Sequence, residues 1–306
     1  MSNPGNPNRA YVSSRFQLEV DGHTNVGFLK SVDGGGIKAD IVTWNIGATT
    51  DQWRYSTKPK YEDITVQLGL GMSRTMYEWI SKFFTREIIR KDGAIVSADF
   101  NFKEQSRRDF KQAIITEMTF PALDGADKNP GYLTIKLSPE KISYATATGG
   151  KVLDKGNQRI EQKTWKPSNF EVSIGKGELK CGRITKVESF TIKQTMLDNK
   201  TGASREFQRV PGRIEWPNIT VYVPEVDVQG WIDWHDDEVI KGKGKETQKQ
   251  GWISLKAPDL QKELLHINLS NVGIASISAE KAEAGAEQLR KWKIELHVDQ
   301  MSCEYK

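Results

Sequence analysis

Few groupings in this chain have the residue types and spacing that chemistry needs. His235-Asp236-Asp237-Glu238 is the one run of metal-ligand types. On a helix His235 and Glu238 share a face and could hold a single ion; the plainer reading is a charged helix end in water. Cys181 and Cys303 have no histidine base nearby in sequence and fall on predicted strands, so they read as buried, inert thiols. The four histidines, His23, His235, His266 and His297, form no repeated pattern. Neither a Gly-x-Ser-x-Gly elbow nor a Gly-x-x-x-x-Gly-Lys-Ser/Thr loop is present. Gly34-Gly35-Gly36 follows a predicted strand but opens no helix, so it reads as a kink or bulge and not a phosphate loop. Lys241-Gly242-Lys243-Gly244-Lys245 reads as a solvated basic turn or a contact with an acidic neighbour. Asn199-Lys200-Thr201, Asn218-Ile219-Thr220 and Asn268-Leu269-Ser270 fit the glycosylation pattern by chance if no leader precedes them. No catalytic, cofactor-binding or metal site is assigned, no cofactor is expected, and the chain does not read as an enzyme.

The elements that would carry any site are mostly strands. Phe16, Leu18 and Val20 fall on one face of a strand, and Gln17, Glu19 and Asp21 on the other. Ile64, Val66 and Leu68 repeat the alternation, as do Ile114, Thr116, Met118 and Phe120, and Leu133, Ile135 and Leu137. Gly27 to Thr43 and Ile95 to Phe102 bring the first half to about six strands. The period changes once: Met76, Ile80, Phe83, Phe84 and Ile88 sit at helical spacing, with Ser73 as the expected N-cap. Trp231, Trp234, His235 and Val239 stand at the matching place later in the chain.

That match belongs to a longer one. Phe16 and Phe170 lead similar strands 154 residues apart; Val32 and Val187, Ile64-Thr65-Val66 and Ile219-Thr220-Val221, and Trp79 and Trp234 recur at 155. Met118-Thr119-Phe120 aligns with Val272-Gly273-Ile274 at 154, and Ile135-Lys136-Leu137 with Ile294-Glu295-Leu296 at 159. Six matches in order predict two copies of one domain, residues 13–146 and 168–306, joined by a tether over 147–167. The late change in spacing places a few extra residues before the last match, in a longer loop over Ser278 to Arg290. Each copy is predicted to be a six-stranded antiparallel β-barrel or sandwich with one helix between strands three and four, filled by its own side chains. The stretches Thr43 to Thr57 and Thr195 to Arg209 read as long loops that a neighbouring subunit would order. Most of the nine tryptophans read as core or subunit-interface residues.

Composition narrows the class. The chain has 306 residues, 37% hydrophobic and 27% charged, with a formal charge of +4. It has no basic stripe for nucleic acid and no run of apolar residues long enough for a membrane span. Two cysteines exclude a disulfide scaffold. Met1 to Arg9 has no apolar signal core, so a start in a reducing cytosol is expected.

In Ser14-Arg15-Phe16-Gln17-Leu18-Glu19-Val20-Asp21-Gly22, Gly27-Phe28-Leu29-Lys30-Ser31-Val32 and Lys58-Pro59-Lys60-Tyr61-Glu62-Asp63-Ile64-Thr65, with Glu78-Trp79-Ile80 after them, the first copy resembles the contractile-phage tail tube protein family. That family also supplies the inner tubes of contractile injection systems and shares its fold with the type VI secretion ring protein. The second copy is similar in Phe170-Glu171-Val172, Val210-Pro211-Gly212-Arg213-Ile214-Glu215-Trp216-Pro217-Asn218-Ile219-Thr220 and Asp233-Trp234. Family members usually carry one such domain, and the second copy lacks the Gly-Gly-Gly stretch.

The resemblance implies barrels that form rings, stacked into a hollow conduit for DNA or protein cargo. It implies sheath, baseplate and tube-terminator partners, assembly in the bacterial cytoplasm, and a final place in a virion tail or extracellular particle. Three chains would give a pseudo-hexamer; six chains per ring is the alternative. A specialised initiator or adaptor ring, a small-ligand binding barrel and, more distantly, a metal enzyme built on the 235–238 cluster stay open at this point.

Overall fold

The structure, a computed structural model, describes residues 15–45, 47, 52–146, 165–199, 208–281 and 289–306. The expected start at residue 13, the Met1–Arg9 stretch and residues 147–164 of the expected tether lie outside them. The protein is mainly β and its sheets are antiparallel.

The first half contains β1 (Arg15–Val20), β2 (His23–Gly34), β3 (Ile37–Asn45), β4 (Gln52–Tyr61), β5 (Ile64–Leu68), α1 (Arg74–Phe84), β6 (Lys91–Ala98), β7 (Glu104–Phe120), β8 (Leu123–Asp124), β9 (Leu133–Ser138) and β10 (Lys141–Thr146). β7, β6, β1, β2, β5 and β9 pair in that order, and β9 returns to β7, so this sheet closes on itself. The inward side chains fill it: Leu18, Ile64, Val66, Leu68, Ile95, Ile135 and Leu137 are buried. β3 and β4 leave the barrel as a separate hairpin. The chain turns into it at Gly34, where φ is +78° and an added Cβ would lie 2.1 Å from the carbonyl oxygen of Asp63. Only glycine tolerates both conditions, so the triple glycine is a corner, and the single expected strand over Gly27 to Thr43 is broken there.

The second half contains β11 (Phe170–Ile174), β12 (Lys186–Val187), β13 (Phe190–Asn199), β14 (Gln208–Glu215), β15 (Ile219–Pro224), α2 (Gln229–His235), β16 (Lys249–Lys256), β17 (Glu263–Ala279) and β18 (Lys291–Tyr305). Its sheet runs β11-β16-β17-β18-β15-β12-β8. Among the described residues no pairing joins β11 to β12, so this sheet stays open where the first one closes.

Strand by strand, the registers correspond. Ile64 faces Leu137 in the first half and Ile219 faces Leu296 in the second. Val32 faces Val66, and Val187 faces Val221. Lys38 faces Lys60, and Lys193 faces Glu215, with an irregularity after Ala39 and another after Gln194. Gly93 faces Phe110, and Gly251 faces Leu269. Met118 faces Ile135 and Ile277 faces Ile294, each just past a bulge.

This register corrects two expectations. Met118 corresponds to Ile277, 159 residues on, and not to Val272. The added residues therefore fall around α2 and between β16 and β17. The connection before β18 is no longer than its counterpart before β9. A late apolar triplet resembled an earlier one because strand residues alternate; hydrogen-bond register distinguishes them.

Other differences have local causes. Gln17 and Glu19, on the face opposite Leu18, are buried as well: Glu19 pairs with Arg107, and the same face of β6 buries Ala94, Val96 and Ala98 under Phe102. α1 buries Met76, Ile80, Phe83 and Phe84 as its spacing requires, but it ends at Phe84, which leaves Ile88 exposed. Ser73 precedes α1 in extended conformation without donating or accepting a side-chain cap. Val239 is also exposed. Trp165, inside the expected tether, is 1% exposed, and its carbonyl accepts the Gly131 N–H at 2.9 Å. One hydrophobic cluster runs through both halves, from Leu18 to Cys303. Among the described residues no helix is long and apolar enough to cross a membrane.

Candidate assembly surface

Chemistry-bearing residues do not converge. His235 ends α2, Asp236 and Asp237 turn outward to Lys241 at 2.8 and 2.9 Å, and Asp237 also holds Lys243 at 2.9 Å. These lysines hold the Asp237 carboxyl below the usual aspartate range, and the two aspartates raise the Lys241 ammonium. Glu238 turns inward, where its carboxylate accepts the Ile274 N–H at 3.1 Å and meets His297 Nε2 at 3.1 Å. The run is thus divided between two directions by the helical turn. Among the described residues no group of three metal-ligand side chains forms. Cys303 lies on β18, and burial pushes its thiol up to about 12. Cys181 is also buried and raised, but it stands in a turn and not on the strand expected for it.

What the fold does expose is a hairpin. The stretch expected as a loop over Thr43 to Thr57 is largely β3 and β4, with Trp44 facing Trp53. Ile41, Trp44, Trp53 and Tyr55 are 64%, 62%, 72% and 52% exposed, a large apolar fraction for a surface ribbon. Over Thr195 to Arg209 the described residues belong to β13 and β14, with Asn199 facing Gln208 where the first hairpin has its tryptophans.

The second hairpin is docked. β13 continues the first barrel's sheet along β7, with Phe190, Thr191, Ile192 and Lys193 facing Phe120, Thr119, Met118 and Glu117. Phe190 and Phe120 stack at 4.8 Å between ring centroids, and the hydroxyls of Thr119 and Thr191 lie 2.8 Å apart. Arg209 of β14 reaches into the first barrel, donating to Asp63 Oδ1 at 2.5 Å, to Ser138 Oγ and to the Tyr61 carbonyl at 3.1 Å. Arg90 donates to the Arg209 carbonyl and pairs with Glu140. Sequence reading missed this junction. Its only trace was the pair Arg54 and Arg209, which occupies one position in both hairpins.

Residues 12–143 match the family model described as the T4-like virus tail tube protein gp19. That segment is similar to the tail tube proteins of this family. No curated protein matches the sequence. Solved structures that resemble the chain include the tube-terminating cap of the anti-feeding prophage, at 19% identity over 45% of this chain and 89% of that one, with a TM-score of 0.39. A second is a chain of the sheath-tube complex of the PVC extracellular contractile injection system in the extended state, at 18% over 46% and 95%, TM-score 0.40. A third is Hcp1 from Flavobacterium johnsoniae, at 20% over 44% and 96%, TM-score 0.31.

Proposed function

We propose that this protein is a structural tube component of a contractile tail or injection particle. Chains close into rings, rings stack into a hollow conduit for DNA or protein cargo, and the conduit contacts sheath, baseplate and terminator proteins. The chain does no chemistry of its own. Assembly takes place in the bacterial cytoplasm, and the finished particle is a virion tail or an extracellular injection particle. The observation that carries this reading is the tail tube family match over residues 12–143.

The shared registers of the two halves support reading them as duplicated domains, near the borders 13–146 and 168–306. On that reading three chains bring six barrels to a ring, a pseudo-hexamer. The second sheet, in which no pairing joins β11 to β12 among the described residues, favours a second reading in which the chain forms one specialised ring at the baseplate or tube end. Negative-stain microscopy and light scattering of the purified chain test the proposal. Rings or tubes are expected, and a strictly monomeric protein at high concentration refutes it. Copies per particle separate a main tube, present in many rings, from a single adaptor ring.

A further inference from the structure

Within the chain the second hairpin sits on the first barrel, and the register assigns every residue of that junction a counterpart. The counterparts are the first hairpin and the second barrel, and among the described residues no strand pairing joins them. Gly35 to Lys38 occupy the place of Phe190 to Lys193. Ser276 to Ala279 occupy the place of Glu117 to Phe120. Among the described residues no strand pairs with β17 along Ser276 to Ala279 on the side away from β18. Phe120 is 1% exposed, whereas Ala279 is exposed.

Both sides of the vacant junction change together. The stacked pair Phe120 and Phe190 corresponds to Ala279 and Gly35, small on both sides, so the backbones can meet without rings between them. Arg209 corresponds to Arg54, since Asp198 faces Arg209 and Thr43 faces Arg54. Arg54 is exposed and has no ion pair among the described residues. Asp63 and Ser138, which Arg209 touches, and Glu140, which lines the same recess, correspond to Asn218, His297 and Asp299. Glu140 is held by Arg90, but the position of Arg90 is taken by Gln248, and Asp299 has no cationic partner among the described residues. Among the described residues, then, one guanidinium and one carboxylate, the latter accepting the Asn271 amide at 3.4 Å, stand without ion pairs on separate surfaces.

We infer that these surfaces meet between chains: β3 of one copy adds to β17 of the next, Ile37 opposite Ile277 and Lys38 opposite Ser276, with Arg54 landing beside Asp299. The contact is heterologous, head to tail, and repeats the junction already inside each chain, so successive barrels are related by nearly the same step whether the join is covalent or not. Strand addition also covers the free edges of β3 and β17. Without aromatic rings at its centre, the contact between chains buries less apolar surface than the one within the chain. The ring therefore parts into whole chains before any chain opens.

The inference rests on the tube reading, and disulfide trapping separates the two. Directly opposed residues of antiparallel strands bring Cα atoms to about 4.5–5.5 Å, within disulfide reach. Ile37→Cys and Ile277→Cys together, oxidised under assembling conditions, should give a covalent ladder of chains. An equimolar mixture of the two single variants should stop at dimers. Ile37→Cys with Ser278→Cys, one residue out of register and on the opposite face, should link several-fold less. Cys181 and Cys303 are buried and contribute little background. Separately, Arg54→Ala should lower the assembled fraction about ten-fold, the equivalent of about 1.4 kcal/mol, without moving the urea midpoint of the monomer. Rings or tubes that form without in-register links, or that tolerate Arg54→Ala fully, overturn this contact and leave the tube reading standing. Wild-type protein that never assembles overturns both.

Discussion

Phe190→Ala tests whether the two halves are joined in solution as the junction requires. Phe190 is 3% exposed and stacks on Phe120 at 4.8 Å with ring planes 19° apart. Removing a buried phenylalanine ring costs about 3–5 kcal/mol, from lost transfer energy and the cavity left behind. The ring-ring geometry accounts for about 0.5–1.5 kcal/mol of that. Urea unfolding of the monomer, followed by tryptophan fluorescence and far-ultraviolet dichroism, reads the loss. With a slope of ~3 kcal/mol per molar, the midpoint should fall by about 1–2 M. A double-mutant cycle with Phe120→Ala should return a coupling of about 0.5–1.5 kcal/mol. The two signals should also separate, because the second hairpin then loses the packing that ties it to the first barrel. A loss below about 1 kcal/mol with no coupling would falsify the junction, since a docked ring cannot be deleted at so small a cost.

Arg209→Ala should lower monomer stability by about 1–2 kcal/mol, because Asp63 and Ser138 lose a charged donor while water and their mutual 2.7 Å hydrogen bond remain; an unchanged urea midpoint counts against the contact. Trp79→Phe and Trp234→Phe should each cost about 1–3 kcal/mol, since their indole N–H groups donate to Ile89 and Thr247 carbonyls at 3.2 and 3.0 Å. Costs in the two halves differing by several kcal/mol argue against equivalent roles. Asp92 accepts the Gln112 N–H at 2.8 Å and the Lys111 ammonium at 2.9 Å, which hold its carboxyl below the ordinary aspartate value of 3.8. Its contribution is therefore complete above about pH 4 and is lost as the pH falls through the lowered value. Asp92→Asn should flatten that acid limb in a pH series of urea midpoints, and an unaltered limb rules the carboxylate out as its source. Native protein at pH 8 should resist a thiol reagent at both cysteines, with reaction only after unfolding; rapid labelling of Cys303 shows that β18 is not packed as described.

The β class and the barrel-filling residues were legible because strand alternation is a property of sequence order. Leu18, Ile64 and Leu68 declare an inward face whatever the strands pair with. Register is a different kind of information. A one-residue slip is costly only once both strands are in place, so Met118 could be matched to Val272 by composition when hydrogen bonding sets it against Ile277. Alternation places Glu19 and Gln17 opposite Leu18 but cannot reveal what covers that second face. Trp165 read as tether because burial depends on a glycine, Gly131, that leaves room for its ring. Arg54 and Arg209 are one residue type at similar places in two hairpins. Only tertiary structure decides that one is enclosed and the other waits at the surface, because a guanidinium is held by the groups that distant strands bring to it.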